Sequence, residues 1–309
     1  MTTQTLSSLA AAAIVACTLV TPSHAATVYS LASDGTSLIR FDSATPGSVT
    51  TVGAISGGPV RLDGLDFRPS NGLLYGYSHT TGSVYTVSTS TGAAVFASSL
   101  SPATSTNFLG IDFNPMADRL RIVNNDEQNL RVTVGTGTTT VDAPLAYAAG
   151  DPNAGVNPQI IDAAYTHSSL GSTLTTALYY VDYGTDTLVR TSNPNGGVLN
   201  TVGLLGIDID PNAGFDIFSS GGIDTAYGAF RVGGVTSFYN LNLATGAASA
   251  IGAIGTGAGL FFGLAVVPGA AIGTVPEPGS LALLGTAGLA AFLARRRRPG
   301  AAAPGELTP

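Results

Sequence analysis

The chain has 309 residues, of which only 10% are charged, and its basic side chains are 12 Arg with no Lys. Residues 26–271 hold eight Arg against 17 acidic residues, a net charge of −9, which excludes the basic footprint of a nucleic-acid-binding surface. The single Cys, Cys17, lies outside that segment, so no disulfide staples it. From the N-terminus, Leu9 to Val20 is an apolar run, followed by Pro22 and then Ser23-His24-Ala25. That pattern reads as a secretory signal peptide over residues 1–25, cleaved by signal peptidase after Ala25. No Lys or Arg precedes the run, and Ile14-Val15-Ala16-Cys17 offers an alternative lipoprotein box.

Residues 27–55 supply three strands, Val28 to Leu31, Leu38 to Phe41 and Val49 to Ala54, recognised by β-branched and aromatic residues between Gly, Asn and Pro. A phrase that then recurs organises the rest: Gly64-Leu65-Asp66-Phe67-Arg68-Pro69, Gly110-Ile111-Asp112-Phe113-Asn114-Pro115 and Gly206-Ile207-Asp208-Ile209-Asp210-Pro211. Looser copies sit at Ile161-Asp162 and Gly263-Leu264-Ala265. A recurrence of about 46–57 residues marks a repeat architecture. Each unit reads as four short strands, the first being the Gly-Leu-Asp strand, with units starting near residues 60, 107, 158 and 204. The N-terminal three strands lack an opening strand, and Leu260 to Pro268 is an opening strand with nothing after it. Together they make one unit. The expected fold is therefore all-β, a β-propeller of five four-stranded blades closed by pairing the C-terminal strand with the N-terminal strands, which removes open sheet edges. A linear β-solenoid is the alternative.

Past the repeat domain, assigned to residues 26–271, comes a segment over 272–298. It contains Pro276-Glu277-Pro278, an apolar run from Leu281 to Ala294, and Arg295, Arg296, Arg297 and Arg298. Fourteen helical residues span about 21 Å, short of a hydrocarbon core of roughly 30 Å. The order of motif, run and Arg cluster resembles the PEP-CTERM sorting signal of Gram-negative bacteria. The resemblance implies transient inner-membrane anchoring, removal of the tail by an exosortase, and delivery to the cell surface, envelope or extracellular (biofilm) matrix. Residues 299–309 are expected to be a disordered tail. Over residues 27–268 the chain also resembles an exported bacterial family, domain of unknown function 4394. The phrases that carry this are Gly64 to Pro69, Asp118-Arg119-Leu120-Arg121-Ile122-Val123, Gln128-Asn129-Leu130-Arg131 and Leu241 to Gly246. It implies fold and export and supplies no mechanism.

Two residue groups are candidates for chemistry. Asp66, Asp112, Asp162 and Asp208 occupy equivalent repeat positions, with Ala265 in the fifth. Converging carboxylates can hold a hard cation such as Ca²⁺, or each can accept backbone hydrogen bonds at a blade junction. No cofactor is otherwise expected. The Asp208-Ile209-Asp210-Pro211-Asn212-Ala213-Gly214 string departs from a calcium loop and reads as a turn, as does Asp151-Pro152-Asn153-Ala154-Gly155. Sliding blade two forward by 46 residues turns Leu73, Tyr75 and Tyr85 into Arg119, Arg121 and Arg131, with Arg131 opposite Arg121. This cluster is either an inter-blade ion network with acids such as Asp112, Asp118 or Asp126, or an anion site for an acidic polysaccharide. No nucleophile elbow, His-Glu-x-x-His motif or His-centred constellation is present, so no catalytic residue is assigned. The functional expectation is an exported, non-enzymatic binding or structural propeller. The alternative is a propeller enzyme acting on a sugar or lactone through channel carboxylates.

Overall fold

The structure, a computed structural model, describes residues 25–269 apart from 33, 34, 60 and 192. The signal segment up to residue 24 and everything from residue 270, including Pro276 to Pro278 and Arg295 to Arg298, lie outside the described residues. Five antiparallel sheets make five blades. Blade one combines β1 (Thr27–Ala32), β2 (Ser37–Asp42) and β3 (Thr45–Ala54) with β21 (Phe261–Val266), in the order β21-β1-β2-β3. Blade two is β4 (Gly64–Phe67), β5 (Leu74–Ser78), β6 (Ser83–Val87) and β7 (Ala94–Ser99). Blade three is β8 (Leu109–Asn114), β9 (Arg119–Asn124), β10 (Asn129–Thr133) and β11 (Thr138–Val141). Blade four is β13 (Ile160–Tyr165), β14 (Leu178–Asp182), β15 (Thr187–Thr191) and β16 (Val198–Leu204), with β12 (Ala146–Tyr147) added outside β16 as a parallel fifth strand. Blade five is β17 (Ala213–Ser220), β18 (Ile223–Val232), β19 (Val235–Leu241) and β20 (Ala248–Ala253).

The innermost strands β4, β8, β13, β17 and β21 pack in sequence around the axis, and β21 returns to β4. The ring is closed as expected, with β21 antiparallel to β1. Burial falls steeply outward. All six residues of β13 are buried, whereas β20 exposes most of its length. This gradient explains the composition: inner strands are apolar on both faces, and outer strands are built from Thr, Ser, Ala and Gly. Four of the five blade interfaces are filled by apolar clusters contributed by both blades. The interface between blades three and four differs, because Val123 is the one blade-three residue in its apolar cluster.

The opening strand of blade five is not the one the repeat phrase indicates. Gly206 to Pro211 forms a loop, and the strand is β17, carrying Gly214-Phe215-Asp216. The cause is the turn that follows. Gly221 and Gly222 both adopt positive φ (58° and 81°) between paired Ser220 and Ile223, the two-residue hairpin turn that matches strand twist. That turn sets Asp216 opposite Tyr227 and leaves Asp208 exposed upstream of the sheet.

One cross-strand row recurs in all five blades. Tyr29 pairs with Arg40 and then Thr50; Tyr75 with Thr86 and Val95; Tyr179 with Arg190 and Asn200; Tyr227 with Asn240 and Ser249. In blade three the row reads Arg121, Arg131, Thr140. The residue equivalent to Arg131 is thus Thr86 and not Tyr85, since Tyr85 pairs with Gly76 on the opposite face. The simple 46-residue slide misses this because the β9–β10 pairing closes one residue tighter than the β5–β6 pairing.

Candidate functional site

The strands at the axis carry a collar of buried carboxylates. Asp66, Asp112, Asp162 and Asp216 are each between 2% and 6% exposed. Each accepts a backbone N–H from the following blade. Phe113 N donates to Asp66 Oδ2 (2.7 Å), Tyr165 N to Asp112 Oδ1 (3.2 Å), Phe215 N to Asp162 Oδ2 (2.7 Å) and Val266 N to Asp216 Oδ2 (2.6 Å). Four of the five joints are therefore clasped by one carboxylate. At the fifth, Ala265 has none, and close approach replaces it. Gly263 lies in the left-handed region (φ 57°), and a Cβ there would stand 3.0 Å from Leu65 N. Gly110 is needed for the same closeness, because a Cβ there would fall 2.3 Å from Asp162 Cα. The Gly-x-Asp phrase is thus one device: Gly lets neighbouring blades touch, and Asp ties them.

Of the residues expected at this site, Asp66, Asp112 and Asp162 belong to the collar. Asp208 does not; Asp216 takes its place. A search of the sequence for Gly-x-Asp alone finds Asp216 as readily, eight residues downstream, and the misleading signal was Pro211. Oxygens of Asp66, Asp112 and Asp216 lie within 4.8 Å of one another. Burial pushes Asp66 and Asp112 well above the usual carboxylate range, and the neighbouring carboxylates push them further, chiefly Asp216 for Asp66 and Asp66 for Asp112. Burial likewise raises Asp162, and lifts Asp216 to about 7. Contributing one oxygen each, these three carboxylates would supply three of the roughly six to eight oxygens that Ca²⁺ takes. Each also accepts a backbone N–H at one oxygen.

A pH dependence follows from the collar. Carboxylates whose folded pKa is raised bind protons that the unfolded chain releases above about pH 4. Their contribution is complete below the unfolded value and is lost as pH rises through the folded values, about 7 for Asp216. Asp118, Asp142 and Asp151 are shifted down, so their contributions are lost only below the ordinary carboxylate range and do not oppose this trend. The melting temperature is expected to fall between pH 4.5 and 7.5, and Asp216→Asn to flatten that slope. A melting temperature that climbs across this interval would contradict the assignment.

Where the other blades place Tyr, blade three places Arg121, 2% exposed, at the interface that lacks an apolar filling. Its Nη1 donates to Asp142 Oδ2 (2.7 Å) and Asn129 Oδ1 (2.6 Å), its Nη2 to Asn195 Oδ1 of blade four (2.8 Å), and its Nε to Tyr165 Oη (3.4 Å). Arg131 grips the same carboxylate with two parallel bonds, Nε to Oδ2 (2.7 Å) and Nη2 to Oδ1 (2.9 Å). Burial opposes the Asp142 charge, but the hydrogen bonds from Arg131 and Arg121 hold its carboxyl below the usual range. The opposed cations thus share one acid. That acid is Asp142 and none of those expected. Asp118 pairs with Arg68 (2.5 Å), Asp126 accepts from Ser105 Oγ, and Asp112 belongs to the collar. Arg119 stands apart, its Nη1 donating to Thr133 Oγ1. The knot ties blade three to blade four and engages four of the five N–H groups of Arg121.

Asp151 also proves to be a turn residue, accepting from Asn153 N (2.9 Å) and from Thr201 N (2.7 Å) and Oγ1 (2.8 Å). Asp210 Oδ2 lies 3.8 Å from Arg231 Nε. His79 bonds Thr104 Oγ1 (2.8 Å), and His167 N donates to Asp224 (2.9 Å), so the two His serve separate loops.

Residues 274–298 match the PEP-CTERM protein-sorting motif. No curated protein matches the chain. Among solved structures, a chain from the crystal structure of a nidogen/laminin complex is 11% identical, covering 78% of this chain and 98% of that one at a TM-score of 0.48. A computationally designed protein, Ika8, is 10% identical, covering 76% and 67% at a TM-score of 0.36. Residues 37–265 match the family described as domain of unknown function DUF4394, and the chain belongs to that family, as a five-bladed propeller bearing an exosortase sorting motif.

Proposed function

We propose that this protein is a non-enzymatic scaffold, delivered to the cell envelope or extracellular matrix, that acts by structure and binding. The observation that carries this reading is the collar. The carboxylates that a channel enzyme would turn toward a substrate are buried and committed to backbone N–H groups of neighbouring blades. The cavity beside Asp66 and Asp216 is only about 10 Å³, room for about one water. The Arg cluster of blade three is likewise committed internally. The sorting motif supports the destination, with signal peptidase and exosortase as processing partners.

The test combines location with turnover. Protein recovered from the surface of an exosortase-bearing host is expected to lack residues from Val275 onward by mass spectrometry, and to leave a panel of polysaccharides and lactones unchanged. Retention of Arg295 to Arg298 on surface-located protein would contradict the processing. Hydrolysis that disappears in Asp66→Asn would overturn the non-enzymatic reading.

A further inference from the structure

Six of the eight Arg in residues 26–271 are engaged: Arg61 with Asp63, Arg68 with Asp118, Arg121 and Arg131 with Asp142, Arg231 with Asp210, and Arg119 with Thr133. Among the described residues the side chains of the other two, Arg40 and Arg190, make no hydrogen bond or ion pair. They hold the same place in the repeat: each is the second member of the cross-strand row, between a buried Tyr and a Thr or Asn of the outer strand. Blades two and five have Thr86 and Asn240 there, and blade three has the paired Arg131.

Each unpaired Arg also walls a groove. Arg40 lines a cavity of about 430 Å³ with Tyr29, Thr50 and Thr51 of blade one and Thr89 and Ser90 of blade two. On its other side Arg40 and Thr50 line a second cavity of about 290 Å³. Arg190 lines one of about 390 Å³ with Thr191, Asn200 and Thr201. The two larger volumes fall at the small end of the range of small-molecule sites, roughly 300–1,000 Å³. Acids are close by. Asp42 borders the smaller cavity but lies beyond ion-pair distance of Arg40, and Asp151 is held by Thr201 and Asn153.

We infer that the Arg40 and Arg190 grooves are paired subsites for a polyhydroxylated polymer bearing carboxylates, that is, an acidic glycan. The chemistry is matched part by part. An exposed guanidinium offers two parallel donors to a carboxylate, which binds more strongly than a neutral hydrogen bond. The hydroxyls of Thr50, Thr51, Thr89 and Ser90 donate to and accept from sugar hydroxyls. Elsewhere the net charge of −9 repels an anionic polymer, so attraction is confined to these two points. The two subsites lie on the non-adjacent blades one and four, so a polymer long enough to span both engages them together, which multiplies weak affinities. This inference rests on the reading of the protein as a binding scaffold and adds the ligand class and its location.

The experiment measures binding of the mature protein to polygalacturonate, to its methyl ester and to dextran sulfate, in wild type, Arg40→Gln, Arg190→Gln and the double variant. Polygalacturonate is expected to bind the wild type, with each single variant weaker by about tenfold and the double variant at background. The ester, which keeps the hydroxyls but loses the charge, is expected to bind at least about tenfold more weakly. Both Arg are exposed and unpaired, so the variants should melt like the wild type, and matching melting temperatures confirm that the loss is local. Absence of polygalacturonate binding by the wild type would overturn the inference. So would unchanged binding by the double variant, or dextran sulfate binding as tightly as polygalacturonate, which would indicate simple anion exchange. None of these outcomes touches the scaffold reading, which fails separately, by turnover of a bound polymer.

Discussion

Deletion of residues 260–268 is expected to abolish cooperative folding. That segment is β21, the inner strand of blade one, and it closes the ring by pairing with β1. It contributes Phe261, Leu264 and Val266 to the core between blades five and one, and Ala265 to the core between blades one and two. Burying side chains of this size stabilises by about 1.5–3 kcal/mol each. The loss of three approaches the whole stability of a typical domain, about 5–15 kcal/mol. The deletion also removes Val266 N from Asp216, leaving a buried carboxylate without its partner in the next blade, and it exposes β1 as an open edge. The expected result is aggregation or a broad, non-cooperative melt by calorimetry. A sharp transition at the wild-type temperature would show that the ring need not be closed.

Asp142→Ala is expected to destabilise by about 3–5 kcal/mol, because it strands Arg121 inside the protein with no carboxylate. Arg131 is about one-third exposed and can turn to solvent, so the loss is set by Arg121. Replacing the whole knot should behave differently. Arg121→Tyr with Arg131→Thr and Asp142→Ala restores the row that blade two builds from Tyr75 and Thr86. Exchanging a buried ion network for well-packed residues is often neutral or stabilising. Asn129 and Asn195 lose a donor in the exchange, so most but not all of the loss should be recovered. Chemical denaturation of the three proteins checks the order wild type, triple variant, Asp142→Ala. A single variant within about 0.5 kcal/mol of wild type, the range of ordinary surface changes, would mean that the knot carries no structural load.

The contrast between what the sequence discloses and what it hides has a physical basis. Blade number and ring closure are legible because the inner strands repeat nearly the same demand: an apolar residue in each, a Gly where blades touch in four of the five, and in four of the five a carboxylate to accept the next blade's N–H. Asp66, Asp112 and Asp162 are legible from that repeat. Asp208 reads as the fourth in the sequence because Gly206 to Pro211 copies the phrase more fully than Gly214-Phe215-Asp216 does. What decides between them is the Gly221-Gly222 turn, whose register counts back to Asp216. The Arg cluster stood out because charge at a Tyr position breaks the repeat. Its acid did not, because Asp142 follows the outer strand β11 and reaches Arg121 through the fold, 21 residues along the chain. Arg40 and Arg190 were invisible as a pair, since their equivalence depends on strand register and their availability on the absence of partners.

The buried carboxylates are the joints between four of the five pairs of neighbouring blades. Native-state amide hydrogen exchange at Phe113, Tyr165, Phe215 and Val266 tests it directly, because these four N–H groups donate to the collar. If the clasps hold the ring, the four amides exchange only through global unfolding, with the protection of the most slowly exchanging core amides, and Asp162→Ala lowers protection at Phe215 together with the whole molecule. Exchange of these amides at the rate of the exposed turns, in a protein whose core stays protected, would contradict it.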